Sequence, residues 1–183
     1  MSWSVIPDRM LKPKYEMSLQ KIAPTLDLPS SDLNRRLHFE TDTARAVQDA
    51  DVVQENGPER LPFKQELWAK IEKASPQALL LSSSSSLTAS QQAALMKHPG
   101  RLLIGHPFNP PHLIPLVEVV PGEKTNPKAI EDAVAFYSAL GKVAKVIHKE
   151  IRSFVANWLQ GTSGNAFISS KRASFQSTNW TTS

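Results

Sequence analysis

The sequence predicts an α/β fold with an open, mostly parallel β-sheet. Short apolar runs that fit strands alternate along the chain with segments whose apolar residues recur at helical spacing. The run at residues 78–81 is apolar without alternation, which is typical of a strand covered by helices on both faces. Strands that alternate with helices favour a parallel sheet, and such sheets carry their functional groups at the carboxyl ends of the strands.

Composition indicates one globular domain. The chain has 183 residues, of which 40% are apolar and 21% charged, and this length allows a core of its own. No apolar run approaches the roughly 18 residues that cross a bilayer, and the first residues lack a signal pattern. We therefore expect an intracellular, cytoplasmic protein without a membrane partner.

The charge distribution and the lack of cysteine limit the classes of ligand and site that the chain can have. The net charge is +4, but Lys and Arg are interspersed with Asp and Glu instead of forming a stripe with aromatic residues. This argues against nucleic acid and favours small, anionic molecules as ligands. The chain has no cysteine, which excludes disulfides, thiolate metal sites and a cysteine nucleophile, and we predict no metal site.

The first half of the chain begins irregularly and then becomes regular. Residues 1–36 contain four prolines and are predicted to be an irregular lead-in, apart from a short helix at 15–22. Strands are predicted at 37–40 and 51–55. A helix capped by Asp42 should follow the first strand, and a helix over 61–74, ended by Ser75-Pro76, should follow the second.

The second half continues the alternation and then loses it. Thr88 and Gln91 form a capping box for the helix that follows the buried strand. Further strands are predicted at 101–105, 116–120 and 143–148, with a helix from Asn126-Pro127 to Gly141 before the last of them. Residues 37–160 should thus form the folded unit, and the Ser- and Thr-rich residues 161–183 a disordered or poorly packed tail.

His106 and Glu118 are the strongest candidates for chemistry. His106 stands at the end of an apolar strand, and Glu118 lies inside an apolar run, where a carboxylate is costly unless it is paired. A pair of the two would orient the imidazole and raise its basicity, so that it could take a hydroxyl proton during alcohol oxidation. The alternative is structural: His106 merely ends a strand and Glu118 points outward.

Two further polar clusters follow predicted strands. The hydroxyls and amides of residues 82–86 could bind a ligand at the sheet edge, although such a run is more often a polar loop. Glu59 and Lys64 could be functional or simply solvated charges near a helix start. None of the seven glycines forms a G-x-G-x-x-G phosphate loop.

These motifs together resemble the 3-hydroxyacyl-CoA dehydrogenase family. The segment Pro-Pro-His-Leu-Ile-Pro-Leu-Val-Glu at 110–118 looks closest to the branch with carnitine 3-dehydrogenase and lambda-crystallin, itself an L-gulonate 3-dehydrogenase. The resemblance covers about residues 20–160 and rests on Ala-Asp-Val-Val-Gln-Glu-Asn at 50–56, the five serines at 82–86, His-Pro-Phe-Asn-Pro-Pro at 106–111 and Leu-Val-Glu-Val at 116–119. It implies a Rossmann-like fold, NAD as cofactor, and a hydroxyacyl-CoA or small 3-hydroxy acid as substrate.

The resemblance also implies roles for individual residues. His106 corresponds to the catalytic base and Glu118 to its partner, while Ser85 and Asn157 correspond to contacts of the substrate oxygen. The residues that correspond to cofactor contacts are Glu59, Lys64, Ser85 and Asn109.

Parts of the family's architecture have no counterpart in the sequence. The first β-α-β unit with its Gly-rich loop and the C-terminal helical domain, which commonly makes the family's homodimer, are both expected to be missing. We therefore keep two hypotheses, an NAD-dependent dehydrogenase and an inactive relative that serves as a binding module.

Overall fold

A computed structural model describes residues 3–5, 16–18, 20–21, 23, 31 and 35–150. The predicted tail and Asn157 lie outside the described residues. The α-helices and strands of the described part are β1 Trp3–Val5, β2 Leu37–Phe39, α1 Thr43–Val47, β3 Val52–Glu55, α2 Leu61–Ala74, β4 Leu79–Ser82, α3 Ala89–Gln92, β5 Leu102–Pro107, β6 Leu116–Pro121, α4 Pro127–Ala139 and β7 Val143–Val146.

The main sheet has five strands in the order β3-β4-β5-β6-β7. Three of its four pairings are parallel, and β5 with β6 is antiparallel. Residues 108–115, which join β5 to β6, are too few for the crossover that parallel neighbours require. The predicted α/β fold with a mostly parallel, Rossmann-like sheet is confirmed, and each strand and helix predicted between 37 and 148 is present within a few residues.

The beginning of the chain differs from the expected irregular lead-in. Trp3–Val5 forms a strand that pairs in parallel with Leu37–Phe39, in a sheet separate from the main one. A strand of three residues is too short for apolar periodicity to reveal it. Residues 16–18 and 20–21 are helical, as predicted.

The core lies on both faces of the main sheet. Alternate side chains of β4 point to opposite faces: Leu81 packs with Ala133 and Tyr137 of α4, and Leu80 packs with Trp68 and Ile71 of α2. All four residues of β4 are buried, as expected for a strand between two helical layers. The doubly covered sheet leaves its strand ends as the accessible place for a site.

Local signals start the helices where the sequence predicted. Asp42 accepts hydrogen bonds from the amides of Ala44 and Arg45, and Thr88 forms the predicted capping box with Gln91. Pro127 occupies the first turn of α4, where its missing N–H has no intrahelical partner to lose.

Candidate active site

The predicted site residues converge near the carboxyl ends of β3, β4 and β5. β4 ends at Ser82, and residues 82–87, here called the serine loop, continue from it. Ser82 is aligned with Glu55 at the end of the parallel strand β3, and His106 lies near the end of β5. Side chains from three separate stretches of sequence are thereby brought to one edge of the sheet.

His106 and Glu118 face each other across the antiparallel pair β5 and β6. The His106 Nδ1 atom is 3.5 Å from Glu118 Oε2, and the two side chains are 11% and 6% exposed. The pairing predicted from sequence is therefore present, and Glu118 does not point outward to solvent.

The pKa of His106 lies below the ordinary value of 6.5. Burial is the largest cause and lowers it, while the Glu118 carboxylate raises it by attraction and hydrogen bonding. Glu118 therefore raises the basicity of His106, as expected, but the opposite effect of burial is larger. The imidazole is consequently neutral at pH 7 and able to accept a proton.

Ser85 places its hydroxyl on the other ring nitrogen. Its Oγ atom is 3.0 Å from His106 Nε2. Ser85, His106 and Glu118 thus form one line of polar contacts in which the imidazole is held at both nitrogens. With Nδ1–H directed to Glu118, the neutral ring has Nε2 as its acceptor on the side of Ser85.

Glu59 holds the serine loop from the side of α2. Its Oε1 atom accepts hydrogen bonds from Ser84 Oγ at 2.5 Å, from the Ser86 amide at 2.9 Å and from Ser86 Oγ at 2.8 Å. Burial raises the pKa of Glu59, but the hydrogen bonds from Ser84 and Ser86, with the charge of Lys64, outweigh it and leave the pKa below its ordinary value. Glu59 is therefore a fixed anion beside Ser85.

Lys64, which the resemblance implied as a cofactor contact, is buried beside two carboxylates. Its side chain has no exposed surface, and its Nζ atom donates to both carboxylate oxygens of Glu55, at 2.8 and 2.6 Å. The Glu59 carboxylate is 3.8 Å away. The ammonium group therefore lies between the carboxylates of Glu55 and Glu59.

Sequence reasoning missed Glu55. Its carboxylate also accepts from Ser82 Oγ at 2.9 Å, and it is 6% exposed. The available signal was the same one that singled out Glu118, an acid in an apolar strand that needs a partner, and the partner was already a candidate nine residues on.

The remaining predicted residues are less informative. Asn109 is exposed on the connection between β5 and β6. Among the residues that the structure describes, no group of three or more His, Asp or Glu is arranged to hold a metal ion, and no helix is long and apolar enough to span a membrane.

Next to His106, the side chain of Tyr137 on α4 lies very close to Gly105 of β5. Tyr137 Oη donates to Gln54 Oε1 at 2.5 Å, and Gln54 Nε2 donates to the carbonyl oxygen of Gly105 at 3.3 Å. A Cβ atom on Gly105 would lie 2.0 Å from Tyr137 Oη. Glycine is thus required next to the histidine so that α4 can pack against β5.

The main sheet thus carries a histidine, a serine and acidic residues near the carboxyl ends of its strands, where Rossmann-like folds bind their ligands. The sequence profile of the NAD-binding domain of 3-hydroxyacyl-CoA dehydrogenases matches residues 11–151. The chain belongs to this family, and the assignment made from its motifs is confirmed.

Individual relatives agree with this family. A 3-hydroxyacyl-CoA dehydrogenase of Gibberella moniliformis is 47% identical over 129 residues, which are 69% of this chain and 40% of that protein. An L-carnitine dehydrogenase of Streptomyces griseus is 39% identical over 87% of this chain and 48% of its own length. The structure of 3-hydroxybutyryl-CoA dehydrogenase from Escherichia coli superimposes with a TM-score of 0.71 and 30% identity, over 79% of this chain and 32% of that chain. The chain thus spans about half the length, or less, of these relatives.

Proposed function

We propose that the protein is an NAD-dependent oxidoreductase that oxidises the 3-hydroxyl group of a hydroxyacyl-CoA or small 3-hydroxy acid to a ketone. The observation that carries the proposal is the line of contacts from Ser85 through His106 to Glu118, within a domain of an NAD-binding family. Relatives that share this domain are named for substrates with a 3-hydroxyl group, including L-carnitine.

His106 is the general base of this proposal. Its Nε2 atom takes the proton of the substrate hydroxyl, and Ser85 Oγ, 3.0 Å from that nitrogen, orients the oxygen. As the imidazolium forms, the Glu118 carboxylate stabilises its charge at Nδ1. Asn157 would be a second contact of the substrate oxygen.

Residues at the strand ends would hold the nicotinamide end of NAD. Glu59 and Ser85 lie at the strand ends where the fold class binds its ligands, and Lys64 supports Glu59 from beneath. Asn109, on the exposed connection after β5, would contact the same end. When bound, NAD supplies the hydride acceptor. The chain contains no G-x-G-x-x-G motif for the pyrophosphate, so tight binding would need donors from elsewhere.

The order Ser85, His106, Glu118 also resembles a hydrolase triad. A serine hydrolase needs backbone amides aimed at the developing oxyanion. Here the amides of Ser86 and Leu87 donate to Glu59, and the amide of Ser84 donates to Ser82 Oγ. The serine loop therefore favours hydrogen bonding to a substrate hydroxyl over nucleophilic attack.

The second candidate is an inactive relative that serves as a binding module. Titration of the chain with NADH, followed by quenching of its four tryptophans, separates the two. Saturable binding supports the dehydrogenase, whereas no quenching at millimolar NADH supports the inactive relative. An intracellular location and, for the full-length proteins of the family, a homodimer belong to the same proposal.

Turnover tests the assignment of the base directly. With NAD, and with 3-hydroxybutyryl-CoA and L-carnitine as substrates, NADH formation should fall by about 10²-fold in His106→Gln, the size usual for loss of a general base. Equal turnover in the variant and the parent protein would refute the role of His106.

A further inference from the structure

The buried carboxylate of Glu55 accepts hydrogen bonds from three different residues. Its carboxylate accepts from Lys64 Nζ, from Ser82 Oγ and from the amide of Gly57, the last at 2.5 Å. One of these partners, Ser82, is the first residue of the serine loop. No part of the proposed reaction uses Glu55, and its burial keeps it away from a ligand.

Two routes connect Glu55 to the serine loop, one through hydrogen bonds alone and one that also includes ion pairs of Lys64. On the first route, Ser82 donates to Glu55 at 2.9 Å and its Oγ atom accepts from the Ser84 amide at 3.3 Å. On the second, Lys64 lies between Glu55 and Glu59, and Glu59 accepts from Ser84 Oγ and from Ser86. The residues on either side of Ser85 are thereby fixed from below.

We propose that Glu55 is the positioning residue for the hydrogen bond between Ser85 and His106. It holds the serine loop at Ser84 and Ser86, and so holds Ser85 Oγ within 3.0 Å of His106 Nε2. Positioning of the loop does not depend on any activity. Its consequence for turnover rests on the proposed dehydrogenase function.

A role in stability alone explains the buried ion pair of Glu55 and Lys64 less well. A buried ion pair is often no more stabilising than apolar residues of similar volume, because both charges lose their hydration. Loops are adaptable, however, and a catalytic contact on a loop needs support from residues that are themselves fixed. Glu55 supplies that support from the end of a buried strand.

The experiment compares Glu55→Gln with Glu72→Gln. Glu72 is a matched control because it is also a buried carboxylate, 7% exposed, that accepts from the amides of Lys97 and His98. Glutamine keeps the shape of either side chain but loses its charge and part of its accepting capacity. The readout is the ¹⁵N chemical shift of the His106 ring nitrogens in the full chain, assigned with His106→Gln.

Glu55→Gln should shift the Nε2 resonance of His106, whereas Glu72→Gln should leave it unchanged at equal loss of stability. Ser82→Ala, which cuts the first route and keeps the ion pair, should shift the same resonance in the same direction. Glu55→Asp, which keeps the charge, should restore part of the parent spectrum. An unchanged His106 resonance in Ser82→Ala would overturn the proposal, and this holds even if Glu55→Gln fails to fold.

Turnover gives an independent arm. With the dehydrogenase function active, kcat should fall on the order of tenfold in Glu55→Gln, the usual size for a displaced charge-assisted hydrogen bond, with little change in KM. If no variant and no parent protein turns over substrate, the dehydrogenase function fails, while the ring resonances still decide the positioning role. A loss of kcat as large in Glu72→Gln would refute the role in turnover.

Discussion

Replacing Gly105 by alanine tests the packing that supports the histidine. The added Cβ atom would meet Tyr137 Oη at 2.0 Å, Cζ at 2.8 Å and Cε2 at 3.0 Å. The obstacle is a ring and not a flexible chain end, and Tyr137 is only 5% exposed within the core under α4. The tyrosine must therefore move by more than an ångström or the strand must separate from the helix.

The cost follows from two terms. Overpacking of a well-filled core costs about 2 kcal/mol. Displacement of the ring also breaks the hydrogen bond from Tyr137 to Gln54, which adds about 1 kcal/mol. We expect Gly105→Ala to lower the free energy of unfolding by about 3 kcal/mol, and to weaken the contacts of His106, the next residue.

Urea unfolding followed by tryptophan fluorescence measures this effect. Gly141→Ala is the control, because Gly141 has φ of 72° and nothing within 4 Å of a Cβ atom, so its cost is backbone strain of about 1 to 2 kcal/mol. Tyr137→Phe added to Gly105→Ala should recover part of the loss, since the oxygen at 2.0 Å is removed. A loss below about 1 kcal/mol for Gly105→Ala would refute the packing argument.

Three other predictions concern the ion pair, the pH dependence and a helix cap. Lys64→Met should lower the stability by about 3 to 5 kcal/mol by leaving Glu55 buried without its partner, and adding Glu55→Gln should recover most of it in the same urea assay. Because burial lowers the pKa of His106, the unfolded chain binds more protons below pH 6.5, so stability falls as pH decreases from there. Thermal melts should show a smaller acid loss in His106→Gln, and an equal loss would contradict this origin. Thr88→Ala should cost about 1 kcal/mol, and no change in the melt would argue against the capping box.

The regular elements could be predicted from sequence because their signals are local. Asp42 and Thr88 mark helix starts by their own hydrogen bonds, and the unbroken apolar run before Ser82 marks a strand with two covered faces. The strand Trp3–Val5 lacks such a signal, since three residues show no period and its partner lies more than thirty positions away.

The site could be predicted from sequence where a charged residue stood among apolar residues, because burial of an unpaired charge is unfavourable. Glu118 in an apolar run required a partner, and His106 was the available one. Lys64 shows the limit of this reasoning, because a lysine near a helix start is ordinarily solvated. Only the tertiary structure shows that the Lys64 side chain is buried and that its ammonium group forms an ion pair with Glu55.

The histidine and its acid are matched by strand register. Since β5 and β6 are antiparallel neighbours joined by residues 108–115, the length of that connection decides which residue of β6 lies opposite His106. A change of one residue would place Val117 or Val119 there and turn the carboxylate to the other face. The spacing of twelve positions from His106 to Glu118 is therefore as much a part of the site as the two side chains.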